Sequence, residues 1–271
     1  MITISKDLMV HLSSQPPLSA VGQQLDLLPL IPTGVVQARR GKDIEFYVFD
    51  ENRRPVWCKP DSPHRRARAT EWICTQLAER AELRTAGYRI VEFEGSTYFG
   101  SPNVTSVAQE FELIGFLRSK DRNLYGGTTL NRGHYLAGVI AFDFFINNND
   151  RHIRNFILSD DGSYRRLCAI DFADADLTSL TTDRFPIAGS STFELGRSVR
   201  AIHGSFVEGA LSMLDRIEGI TPEVFRGIVA SVPPDWLHLD LKDRLNDAWG
   251  SSGFLDRLVS LRAGLKSGSL A

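Results

Sequence analysis

Cysteine is scarce, with three residues in a chain of 271, and the three (Cys58, Cys74 and Cys168) lie far apart among apolar neighbours. An odd, dispersed set gives no disulfide framework, and buried reduced thiols in a cytoplasmic protein are the expectation. The six histidines are scattered without ligand spacing, so a zinc site has no support. Charge of one sign is lacking too. The formal net charge is −2, which gives no pull toward nucleic acid or an anionic membrane. No apolar run reaches the roughly 18 residues a membrane helix needs, and no basic-then-apolar leader opens the chain. There is no internal repeat, no low-complexity tract and no G-x-S-x-G, so acyl transfer on a nucleophile elbow has no basis. Gly41-Lys42 is not a P-loop, because Val36 and Asp43 stand where Gly and Ser or Thr are required.

What is present is a change of pattern along the chain. Phe46–Phe49 and Val56–Lys59 read as strands on either side of a polar turn, Asp50 to Pro55, and Pro60 stops the second strand. Arg66 to Ala86 carries apolar residues at helical spacing. Tyr88–Phe93 and Thr97–Gly100 read as a hairpin turning at Glu94-Gly95-Ser96. Beyond Asn103 helices dominate, near 132–147, 193–217, 221–231, 239–249 and 254–266, with Thr221 and Pro222 as cap and first residue of one of them. The expected fold is α+β and two-lobed: a strand-rich N-terminal lobe over 1–104 and a larger helical C-terminal lobe over 105–271.

The segment from Ile146 to Asp176 holds the densest chemistry. An apolar helix, Tyr135 to Ile146, runs into Asn147-Asn148-Asn149 and then Asp150, so Asp150 sits on a loop held by a rigid element. Asn155 follows five positions on. Phe156-Ile157-Leu158 and Leu167-Cys168-Ala169-Ile170 read as two strands of a hairpin, which places Asn155 and Asp171 at neighbouring ends. A D-x4-N pair alone is common by chance. An acid closing a buried strand is costly unless paired or on a metal, and Asp171 is such an acid. Asp150 then suits the steering of an attacking hydroxyl, and Asn155 with Asp171 suits the holding of Mg²⁺ beside the phosphates of ATP. Asp174 and Asp176 are weaker candidates in an acidic loop.

Lys59 ends an apolar strand, where a phosphate-gripping lysine belongs, and Glu71 in the next helix is the expected ion-pair partner, with Glu79 and Glu82 as alternatives. Residues 33–41 precede that strand and contain Gly34, Gln37, Arg39 and Arg40, which suit a phosphate-cradling loop or a plain strand start. His152 suits bracing of the Asp150 loop better than proton transfer.

Asn149-Asp150-Arg151-His152-Ile153-Arg154-Asn155 resembles the N-D-R-H-x-x-N catalytic loop of the HipA-like kinases. Ala169-Ile170-Asp171-Phe172-Ala173 resembles the metal-binding motif of that family, and Gly34 to Ala38 and Glu71 fit its compact form, without the extra N-terminal subdomain. The resemblance implies a two-lobed kinase fold, ATP with Mg²⁺, transfer to serine or threonine of a protein substrate, and for some members an antitoxin-type partner. It places adenine near Phe99 to Val104, and the Ser/Thr-rich stretch 178–192 is a candidate acceptor-facing or self-modified loop. A sugar, lipid or antibiotic kinase of similar fold and a nucleotide-binding pseudokinase are the alternatives. The first is disfavoured by histidine following the aspartate, the second by the complete polar set.

Overall fold

A computed structural model of the chain describes residues 29–32, 34–37, 46–62, 65–102, 108–119, 131–160, 165–182, 184–186 and 188–271. Five strands, β1 (Val35–Gln37), β2 (Phe46–Phe49), β3 (Pro55–Lys59), β4 (Arg89–Phe93) and β5 (Ser96–Pro102), form one antiparallel sheet in the order β1-β2-β3-β5-β4. Period-two alternation explains the central pair. Phe46, Val48, Val56 and Cys58 are buried on one face, and Tyr47 and Trp57, directly opposite each other, pair their rings on the other at 5.0 Å. The expected polar turn is built on Asp50, whose Oδ1 accepts from the amides of Asn52 at 2.9 Å and Arg54 at 2.7 Å. The expected hairpin turn is also present. Glu94 and Gly95 both take positive φ, 50° and 73°, as a two-residue turn matched to strand twist requires.

The sheet is curled, and the chain length shows why. Leu30 pairs with the free edge of β4, its amide donating to the Ile90 carbonyl at 2.8 Å and its carbonyl accepting from Glu92 at 3.0 Å. β1, at the opposite edge, begins only at Val35. A flat sheet would put these two positions about 24 Å apart at ~4.8 Å per strand step. Five residues of extended chain reach about 17 Å. The sheet therefore wraps until its edges approach. Gly100 sits inside the curl, where a Cβ would lie 2.7 Å from Val91 Cγ2 and 2.8 Å from Val56 Cγ1.

Helix α1 (Ala67–Arg80) leaves the sheet after β3. The sequence pattern extends it to Ala86, but Glu82 turns left-handed at φ 57° and Leu83 donates back to the Ala78 carbonyl at 2.8 Å. Leu83 is buried by this reversal rather than by another helical turn.

The helical part comprises α2 (Glu110–Arg118), α3 (Asn131–Phe145), α4 (Ser191–Ile202), α5 (Phe206–Glu218), α6 (Pro222–Ala230), α7 (Leu239–Ala248) and α8 (Ser252–Ser267), with a hairpin of β6 (Phe156–Asp160) and β7 (Arg165–Ala169). α3 is its axis: Val139 to Ile146 are completely enclosed, Asp143 among them. α5 lies close against it, for a Cβ on Gly209 would meet the His134 carbonyl at 2.6 Å. The single helix expected over 193–217 is two, broken at His203-Gly204-Ser205, with the buried His203 ring bonded to the Leu117 carbonyl at 3.1 Å. α2 escapes the sequence reading because only Leu113 and Leu117 anchor it.

The two parts are fastened side by side. From α1, Trp72 Nε1 donates to Ser231 Oγ at 2.9 Å, and Arg68 Nη1 bonds both the Thr97 carbonyl at 2.7 Å and Asp235 at 3.0 Å. Trp236 Nε1 donates to Thr97 Oγ1 at 2.7 Å. No helix among the described residues is long and apolar enough to cross a membrane. The expected boundary near residue 104 falls at 103–107, outside the described residues.

Candidate active site

The β6–β7 hairpin is the base of the site. Its register sets Phe156 opposite Ala169, so the residues just outside it, Asn155 and Ile170, are joined by an Ile170 N–H to Asn155 carbonyl bond of 3.0 Å. Asp171 follows at φ 63°, a left-handed conformation unusual for a residue with a side chain. Asn155 is held from the other side, its Nδ2 donating to the Asp150 carbonyl at 2.8 Å. That bond uses the amide nitrogen and leaves the amide oxygen, the atom through which an amide can bind a metal, out of it.

Lys59 comes from β3 and is 7% exposed. Its Nζ bonds Glu71 Oε1, and Asp171 Oδ1 at 2.9 Å, while Glu71 Oε2 accepts from the Phe172 amide at 3.1 Å. One lysine thus connects the sheet, α1 and the end of β7. Burial alone would strip the lysine of its proton, but the Glu71 and Asp171 carboxylates outweigh it and raise the ammonium above its ordinary range. Burial pushes Asp171 up, and Lys59 together with Arg151 overrides this and pulls it down to about 2. Burial lifts the Asp150 carboxyl above the usual range; His152 opposes the rise, and the charges of Asp174 and Asp171 add to it. A raised carboxyl is a better proton acceptor.

Lys59, Glu71, Asp150, His152, Asn155 and Asp171 all line one cavity of about 430 Å³, within the size of small-ligand sites. Trp57, Phe99, Ile157, Ile170 and Phe172 give it apolar walls. Of the alternatives to Glu71, Glu79 instead accepts from the Thr85 hydroxyl at 2.8 Å, and Glu82 is exposed, 3.6 Å from Arg216. Asp174 pairs with Arg65 at 2.5 Å, and Asp176 caps the short helical turn Leu177–Ser179. Gly34 immediately precedes β1 and gives its carbonyl to the Phe49 amide at 3.2 Å, and it does not line the cavity; Gln37 is the last residue of β1. The rest of the expected phosphate loop, 38–41, lies outside the described residues, as does Thr33.

Among the described residues no group of three or more His, Cys, Asp or Glu is ready to enclose a metal by itself. Asn155 and Asp171 offer one amide and one ionised carboxylate in the same cavity. Such a sparse oxygen set fits Mg²⁺, which keeps waters and substrate phosphates for the remaining positions.

Bracing of the loop, expected of His152, falls to Arg151. Its guanidinium is completely buried and bonds Asp143 through Nε at 2.7 Å and Nη2 at 3.1 Å. Sequence reasoning passed over this pair. The signal was present: Asp143 interrupts Ala141-Phe142-Asp143-Phe144-Phe145, and an acid in an all-apolar helix demands a cation.

No family model matches the sequence, and no curated protein matches it. The fold is similar to that of solved kinases. The Helicobacter pylori proinflammatory kinase CtkA superposes with a TM-score of 0.57 at 10% identity, over 88% of this chain and 99% of that one. HipA, from a Shewanella oneidensis MR-1 structure of HipA and HipB with operator DNA, superposes with a TM-score of 0.44 at 14% identity, over 88% of this chain and 65% of that one. The CtkA likeness establishes a kinase-like fold: a curled sheet lobe and a helical lobe.

Proposed function

We propose that this protein is an ATP- and Mg²⁺-dependent phosphotransferase, a HipA-like kinase acting on serine or threonine of a protein substrate. The observation that carries the reading is the pair of bonds from Lys59 to Glu71 and Asp171, made in a cavity that Asp150 and Asn155 also line. A polar turn needs no buried lysine from another lobe. A phosphoryl-transfer site does, because such chemistry rests on fixed charges and positioned groups more than on covalent help.

In this reading Lys59, kept charged by its two carboxylates, grips the phosphates. Asn155 and Asp171 hold Mg²⁺, which when bound supplies charge neutralisation at the phosphate oxygens. Asp150 orients the acceptor hydroxyl and takes its proton. Phe99, Ile157 and Ile170 shelter the adenine. The acceptor is a protein by resemblance of the Asp150–Asn155 loop to the HipA-like motif.

The test is incubation with Mg²⁺ and γ-labelled ATP, against a cell lysate and a metabolite panel, with mass spectrometry of labelled products. Label on protein serine or threonine, lost in Asp150→Ala, is expected. Label confined to a sugar, lipid or antibiotic would overturn the protein-substrate part. Absence of both transfer and Mg²⁺-dependent nucleotide binding would sink the whole reading.

A further inference from the structure

We propose that the buried Arg151–Asp143 pair is a positioning device that fixes the two metal-holding residues relative to each other; this rests on the metal-holding reading of Asn155 and Asp171. Arg151 Nη1 donates to the Asn155 carbonyl at 3.0 Å and also to the Ile170 carbonyl. These two carbonyls belong to one candidate ligand and to the residue before the other. The remaining guanidinium nitrogens bind Asp143, which is anchored in α3 and whose Oδ1 also accepts from Asn148 Nδ2 at 2.8 Å. The rings of Phe172 and Phe156 flank the guanidinium at 4.8 Å and 5.6 Å. The Arg151 amide is held as well, donating to Thr192 Oγ1 at 2.9 Å, and that hydroxyl donates to the Asn148 carbonyl at 2.6 Å.

Both side chains of the pair are 0% exposed. A fully buried ion pair is a poor way to gain stability, since apolar residues of similar volume commonly do as well or better. What the pair supplies is geometry. A planar fork reaches a carboxylate with two nitrogens and two separate carbonyls with the third, which an ammonium cannot do. Asp171 sits in a left-handed conformation that must be held from outside, and the Ile170 carbonyl bond holds the peptide that enters it. Arg151 touches neither substrate nor metal in this scheme; it acts through Asn155 and Asp171.

Two variants test this by the Mg²⁺ concentration that half-saturates binding of a non-hydrolysable ATP analogue. Arg151→Lys keeps the charge pair without the fork. Asp143→Leu/Arg151→Met removes both charges and keeps an apolar core. Both are expected to fold by circular dichroism and to bind adenosine as wild type does. The half-saturating Mg²⁺ should rise about 10- to 100-fold in the double variant and less in Arg151→Lys. An unchanged Mg²⁺ requirement in a folded double variant overturns the proposal and leaves the metal site itself intact. Wild-type nucleotide binding that ignores Mg²⁺ overturns the metal reading and the proposal with it. Should neither variant fold, the Arg151 side-chain ¹⁵N resonances of the wild type decide: they should move when Mg²⁺ joins the bound analogue, and unmoved resonances count against the device.

Discussion

Asp150→Ala should reduce phosphoryl transfer by at least about 100-fold, the typical contribution of a positioned base. Mg²⁺-dependent binding of an ATP analogue should persist, because Lys59, Asn155 and Asp171 are untouched; full turnover would remove Asp150 from the chemistry. Asp171→Asn should do the converse. Asparagine tolerates the left-handed backbone that Asp171 adopts at φ 63°, so the fold should survive while thermal stabilisation by Mg²⁺ and nucleotide disappears. Glu79 offers a pH test away from Asn155 and Asp171. Burial raises its carboxyl from 4.5 to about 8, against opposition from the Thr85 hydroxyl and Arg80. A carboxyl raised in the folded state favours folding while protonated. Its contribution is complete below about pH 4.5 and is lost as pH climbs to about 8. Glu79→Gln should therefore flatten the fall in melting temperature across that window; an identical pH profile for the variant would rule Glu79 out as its source.

Elements defined by local pattern were legible in the sequence, and those defined by partners were not. The β2–β3 turn and the β4–β5 hairpin follow from Asp50 and from Glu94-Gly95, whose side-chain and backbone preferences act within a few residues. Of the expected site residues, Lys59, Glu71, Asp150, His152, Asn155 and Asp171 meet in one cavity, because strand ends and the loop after α3 can be read from apolar runs. The end of α1, the break between α4 and α5, and α2 itself depend on contacts across the fold. Leu83 looks helical by spacing and is buried by a chain reversal, and His203 ends a helix by reaching Leu117. Arg151 and Asp143 were missed for a related reason, since each needs the other to be intelligible. At this scale α3 is the element most sensitive to truncation. Phe142→Ala, at a completely enclosed position whose ring meets Phe172 edge-on at 5.6 Å, should cost about 3–5 kcal/mol in denaturant unfolding. A loss under about 1 kcal/mol would mean that α3 is less central than its burial indicates.

In the whole molecule, α1 and β5 are both bound to the loop between α6 and α7. Trp72–Ser231, Arg68–Asp235 and Trp236–Thr97 make that seam. The sheet part and the helical part should accordingly melt together, and calorimetry should show one transition. Loosening the seam with Ser231→Ala and Asp235→Ala should expose a lower-temperature shoulder; a shoulder already present in the wild type would refute the coupling. The curl of the sheet carries a different consequence. Leu30 occupies the outer rung of β4, so the residues just before β1 are what keep that strand from presenting bare amides and carbonyls to another molecule. A fragment started at residue 33 or later should keep every cavity residue and still be sticky, prone to strand-to-strand oligomers in light scattering that a fragment retaining 29–32 would not form.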